Sequence, residues 1–268
     1  MAAVTIRHSF RTALPSYDPD RSGDAHLSGT TTLQTDPPRF CVLISHEAWV
    51  LSGLQSVDRV GRELDTEYTS LRENAMCHQN ESDVVRGAAI YLLHPVNQAL
   101  SALLAGSIRC LSEKGENTVR ADIVFQRYRG NRWRYMAVVE FKSRGVIVGH
   151  EFRQAARTIT RTSPVSEHVR LAVRAGGTFF GDDSKTLMKQ ASAYAIQYAT
   201  QYVAFFNWDY LILIRFVQFD PRGKLRDRII NGVGDYCELS MIKYDRGSHL
   251  MRAALLGFLT EAYQQTPR

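Results

Sequence analysis

The chain has 268 residues, 44% of them hydrophobic, with 33 Lys+Arg against 27 Asp+Glu for a formal net charge of +6. That is enough apolar material for one substantial core, and the mild basic excess biases the protein toward polyanionic partners. No run approaches the roughly 18 consecutive apolar residues of a membrane span, and no continuous apolar stretch follows Met1, so neither a membrane protein nor a secreted one is expected.

Cys41, Cys77, Cys110 and Cys237 are widely separated, without a CxxC pair. They fit reduced thiols of a soluble intracellular protein, cytoplasmic or nuclear, and not a zinc or disulfide framework. The opening residues hold Arg7 and Arg11 and no acid before Asp18, a composition shared with organellar transit peptides.

Residues 1–38, rich in Ser, Thr, Asp and Pro, read as a disordered or loosely docked arm before a folded domain at 39–268. From Phe40 to Leu71, apolar residues at helical spacing predict one or two helices over the core. Asn80 and Glu81 open a second, largely buried helical stretch, in which Pro95 forces a kink or break near Leu93. His94 there reads as a helix-end or core histidine. Two strand-like runs, from Arg120 to Tyr128 and from Arg132 to Lys142, flank the turn residues Gly130 and Asn131 and predict a hairpin. Residues 143–183 are expected to be irregular, with a short helix over Glu151–Ile159. Asp182, Asp183 and Ser184 offer caps to a helix over Lys185–Tyr202. Two β-rich runs around the turn Asn207–Asp209 follow, and an amphipathic helix begins near Ser248.

The hairpin carries the chemistry. Alternation puts Met136, Val138, Glu140 and Lys142 on one face of the second strand, and Ala137, Val139 and Phe141 on the other. On the first strand Arg120, Asp122, Val124 and Gln126 form one set, and Val119, Ala121, Ile123 and Phe125 the apolar alternative. A three-residue loop Gly130–Arg132 sets Asp122 opposite Glu140, with β-carbons about 5 Å apart; a two-residue loop sets Val139 there instead. Two carboxylates so close repel unless a cation lies between them, and Mg²⁺ or Mn²⁺ answers that need with oxygen ligands and retained waters. The same residues could also form an ordinary cross-strand ion pair. Both acids, however, sit in strongly apolar runs, which predicts a sheet covered on both faces.

Glu81 in a helix, then Asp122, then Glu140-Phe141-Lys142, then Gln190 and Tyr194 one helical turn apart, resemble the motif series of the PD-(D/E)XK nuclease superfamily, in particular RecB-like nucleases with a QxxxY helix. The resemblance covers residues 80–218. It implies an α/β restriction-endonuclease-like core, a central mixed sheet flanked by helices. It further implies a Mg²⁺-dependent nuclease hydrolysing DNA or RNA, in which Asp122 and Glu140 ligate the metal and Glu81 completes the shell. Lys142 would assist the attacking water, and Gln190 and Tyr194 would orient it or the phosphate. Ala121 stands where the family name has proline, and no GxxxH accompanies Glu81. A nuclease-like domain that binds nucleic acid or a protein without turnover is the alternative. The segment Gly176–Lys185 superficially looks like a phosphate loop, but Asp182 follows Gly181 where lysine is required. The arginines at 153, 157, 161, 170 and 174 either line a phosphate groove or form a solvated surface.

Overall fold

The computed structural model describes residues 5–16, 35–66, 80–116 and 119–266. A one-turn helix α1 (Ile6–Ser9) precedes strand β1 (Phe40–Leu43) and helix α2 (Glu47–Arg59). Helix α3 (Glu81–Ala88) runs through a π-helical turn at Ala89–Leu93 into α4 (His94–Leu104). Strands β2 (Ile108–Glu116), β3 (Val119–Arg129) and β4 (Arg132–Phe141) form a meander. Helices α5 (Gly149–Gln154), α6 (Val165–Arg174) and α7 (Asp182–Gln197) then lead to β5 (Tyr202–Phe206) and β6 (Tyr210–Arg215). Helix α8 (Leu225–Asn231), β7 (Tyr236–Lys243), α9 (Tyr244–Gly247) and α10 (Met251–Gln265) follow.

The strands build one seven-stranded mixed sheet in the order β1-β7-β6-β5-β4-β3-β2. The pairs β1/β7 and β4/β5 are parallel and the other neighbours antiparallel. The sheet is covered on both faces, as its apolar runs predict. Trp49, Val84, Leu92, Phe141, Phe206 and Leu255 belong to the core on the α2, α3, α4 and α10 side. Val124, Val138, Phe152, Leu187 and Tyr194 belong to the core on the α5 and α7 side. Helices α2 and α10 approach so closely that a β-carbon on Gly257 would lie 1.9 Å from the Trp49 carbonyl oxygen. Only glycine permits that contact. Among the described residues no helix is long and apolar enough to cross a membrane.

Several expectations need correction. Residues 5–16, read as part of a loose arm, are packed: Ile6, Phe10 and Leu14 are buried in the core, and the Trp208 indole N–H donates to the Pro15 carbonyl at 3.2 Å. The rest of that arm, residues 17–34, lies outside the described residues, as does the end of the predicted helical stretch at Leu71. Phe40–Leu43 forms a parallel strand where helix was expected. Residues 143–183 hold α6 as well, and the short helix there spans Gly149–Gln154 and does not reach Ile159. The helix expected to reach Tyr202 ends at Gln197, and Tyr202 opens β5. The predicted break near Leu93 is the π-turn preceding Pro95, which takes an early position in α4, where its missing N–H costs little.

Candidate active site

The register that positions the two acids comes from a turn and a bulge together. Gly130 and Asn131 have φ of 57° and 60°, the left-handed pair that a two-residue hairpin turn needs. That turn alone would bring Val139 opposite Asp122. Between Gln126↔Tyr135 and Phe125↔Ala137, however, the ladder shifts by one, so Met136 is an extra residue on β4. The ladder then runs to Ile123↔Val139, and Asp122 comes level with Glu140. The bulge also corrects the predicted faces: Met136 packs with Ala137, Val139 and Phe141 and not with Val138. On β3, Val119 and Ala121 join the α7-side core with Val124, while Ile123 and Phe125 face the opposite core, so alternation breaks at Asp122.

At that break the side chains replace the ladder. The Asp122 N–H donates to Glu140 Oε2 at 3.2 Å, and the Phe141 N–H donates to Asp122 Oδ2 at 2.8 Å. Glu140 Oε1 accepts from Lys142 Nζ at 2.6 Å and from Gln190 Nε2 at 2.9 Å. The Gln190 amide also donates to the Tyr194 hydroxyl at 2.6 Å, and that hydroxyl donates to the Arg120 carbonyl at 3.2 Å. Gln190 and Tyr194 thus lie on one face of α7, as their spacing predicts. Lys142 is fixed through its main chain, whose N–H donates to the Phe206 carbonyl at 3.0 Å. Glu140 and Lys142 are 4% and 6% exposed, too buried for a solvent-side ion pair.

Glu81 reaches the cluster from the other layer. Asn80 caps α3 in a box with Asp83, fixing the first turn. Glu81 is exposed at the head of α3, where its carboxylate feels the charges of Lys142 and Asp122. Among the described residues no group of three His, Cys, Asp or Glu side chains is drawn together as a metal-ligand cluster, and Glu81 stands beside the Asp122–Glu140 pair at the head of α3. The expected irregular segment after β4 also contributes: Arg144 pairs with Asp209 at 3.0 Å, and Asn207 donates to the Ser143 carbonyl at 3.4 Å, holding the strand exit in place. Of these, Asn207 and Asp209 carry a sequence signal, the turn between the two β-rich runs, whereas Ser143 and Arg144 lie in a segment without one.

Other candidates separate from the cluster. His94 is exposed at the start of α4. Gly176–Lys185 leads into α7, whose first-turn Ser184 N–H is taken by Glu151 Oε2 at 2.7 Å, so a carboxylate of the protein already occupies the place of an anion. Arg157 stacks on Phe179 at 3.7 Å, while Arg153, Arg161, Arg170 and Arg174 are exposed.

Electrostatics describe a site short of positive charge. Burial, then the Glu140 charge, pushes Asp122 up to about 6 from 3.8. Burial raises Glu81 as well, with Lys142 opposing and Asp122 reinforcing. Burial would lower Lys142, but Glu140, Glu81 and Asp122 outweigh it and hold the ammonium protonated above its ordinary value. Burial followed by Glu140 raises the Tyr194 phenol, which stays neutral. Three carboxylates therefore face one buried ammonium. The deficit and the all-oxygen donor set suit a hard divalent cation, which can take two protein carboxylates and fill its remaining positions with water or phosphate.

Comparison of the chain with protein-family models, with curated proteins and with solved structures finds no match.

Proposed function

We propose that the protein is a metal-dependent nuclease with a restriction-endonuclease-like core, hydrolysing phosphodiester bonds of DNA or RNA. The observation that carries this reading is the convergence of Asp122, Glu140, Lys142 and Gln190 from two strands and one helix into a buried, charge-deficient cluster. The order α3, hairpin β3/β4, crossover through α7, and parallel β5 supports the same core.

Asp122 and Glu140 would hold Mg²⁺ or Mn²⁺. Such an ion polarises a phosphoryl oxygen and acidifies water. The chain's own groups prepare the rest. Lys142, held cationic by the acids around it, offers an ammonium that stabilises negative charge on the attacking oxygen or the phosphate. Gln190 shares its amide between Glu140 and Tyr194, which fixes the carboxylate's orientation. Tyr194 anchors that amide to the β3 backbone. Glu81 keeps the Lys142 ammonium charged from the opposite side.

Strand cleavage by the purified chain should require Mg²⁺ or Mn²⁺ and stop on chelation. Glu140→Gln should abolish it, and Lys142→Ala should slow it by about 10²–10⁴ while sparing metal affinity. Undiminished cleavage by Glu140→Gln would place the chemistry elsewhere. Ion and strand binding without any cleavage by the wild type would identify a domain that has lost turnover.

A further inference from the structure

The outer end of the hairpin projects beyond the body of the sheet. β5 pairs with β4 only over Val138–Phe141, so β4 before that point is bordered by β3 alone. The two faces of this projecting ribbon differ. One is tied down by α10: Arg127 stacks on the Tyr263 ring and donates to its carbonyl, and Arg129 donates to the Thr266 carbonyl. The other continues the face on which α7 lies, and it is aromatic. Tyr128 and Trp133 are a cross-strand pair with ring centroids 5.2 Å apart, and Tyr128 is 45% exposed. The Arg109 guanidinium lies 4.4 Å over the Trp133 ring, and Gln126 accepts its Nε–H.

The cross-strand pairs Arg127↔Arg134 and Arg129↔Arg132 belong to the α10 side, so on the aromatic side the cation is the exposed Arg109. The nearby acids are engaged: Glu116 accepts the Tyr135 hydroxyl at 2.7 Å, and Glu113 pairs with Arg120 at 2.7 Å. Beyond Tyr135 this face passes under α7, whose Tyr194 and Tyr198 are buried. Tyr135 meets Tyr198 at 5.1 Å, and Tyr198 meets Tyr194, whose hydroxyl takes the Gln190 amide. Trp133 and Glu140 are seven residues apart on β4, about 23 Å at the rise of an extended strand.

We propose that Tyr128 and Trp133 form a stacking platform for a single-stranded stretch of nucleic acid, with Arg109 supplying its cation. Exposed rings beside fixed guanidiniums bind unpaired bases and their phosphates, whereas a duplex hides its base faces. A strand held there lies on the same side of the sheet as Asp122 and Glu140, several nucleotides away. The proposal deepens the nuclease reading by naming the form of its substrate, but the binding itself does not require catalysis.

The test uses the full chain in EDTA and the fluorescence anisotropy of labelled single-stranded DNA, single-stranded RNA and duplex DNA of about 20 nucleotides. Tyr128→Ala should weaken binding of at least one single strand by roughly tenfold, Tyr128→Phe should restore it, and Arg109→Ala should reduce its salt dependence. Thermal unfolding of each variant separates lost binding from lost fold. Equal affinity for duplex and single strands, unchanged single-strand binding by Tyr128→Ala, or no wild-type binding to any nucleic acid would overturn the platform, the last leaving the face to a protein partner. Single-strand binding that needs Tyr128 in a protein that cleaves nothing with Mg²⁺ would uphold the platform and defeat the nuclease reading; cleavage indifferent to Tyr128→Ala in both binding and rate would do the reverse.

Discussion

Asp122 shows how an unfavourable charge reveals a site. Its carboxyl group is raised to about 6 by burial and by Glu140, against 3.8 ordinarily. A carboxyl that binds its proton more tightly when folded contributes most at low pH, so without metal its contribution is lost as pH rises from about 4 through 6. At about 1.4 kcal/mol per pH unit, the loss is at most about 3 kcal/mol, reduced where solvent reaches the group. Asp122→Asn should therefore be more stable than wild type by about 1–3 kcal/mol near pH 7 in EDTA, with the difference fading near pH 4. Urea unfolding at the two pH values checks this. A variant less stable than wild type near neutral pH would mean that the Asp122 carboxylate is stabilising without an ion. The identity of these residues was legible because Glu140 and Lys142 interrupt an apolar strand. How closely Glu81 approaches the pair was not, since that depends on how α3 docks across the sheet.

Elements read well where local signals were strong and poorly where tertiary contacts decide. The hairpin, the Asn80 cap, the π-turn before Pro95 and the β5/β6 pair each follow from turn chemistry, capping or breaker residues. Strand β1 is only four residues long, and the edge strand β2 has mostly exposed or half-exposed residues and a positive φ at Glu113, so neither shows clean alternation. The bulge at Met136 has no sequence signature, yet it sets the face of everything after it. Because Met136 is the unpaired residue, deleting it should leave Phe125↔Ala137 and the Asp122–Glu140 approach in place, at about 2–5 kcal/mol for lost packing. Deleting Val138 should instead turn Glu140 toward the α10-side core and abolish cleavage. Cleavage assays on both deletions, with folding verified by circular dichroism, check this. Equal loss from both would show that the bulge itself is required.

Across the whole molecule, the two layers of helices explain why the site lies where it does. Helix α7 brings Gln190 from one face and α3 brings Glu81 from the other, while the central strands hold Asp122, Glu140 and Lys142 between them. The N-terminal segment ties into the same end of the sheet, where Tyr244 donates to the Pro15 carbonyl at 2.7 Å and Trp208 bonds the same group. Its apolar residues Ile6, Phe10 and Leu14 recur every fourth position, a helical stripe outweighed in the sequence by the polar residues that follow. A divalent ion seated between the two layers should stabilise the entire fold, because it binds the native arrangement and not the unfolded chain. The most direct measurement is the melting temperature of wild type and Asp122→Asn across a Mn²⁺ titration. At a hundredfold excess over Kd, wild type should gain about 2.7 kcal/mol while the variant stays near its metal-free value; an equal rise in both proteins, or none in wild type, would contradict a metal site built on Asp122 and Glu140.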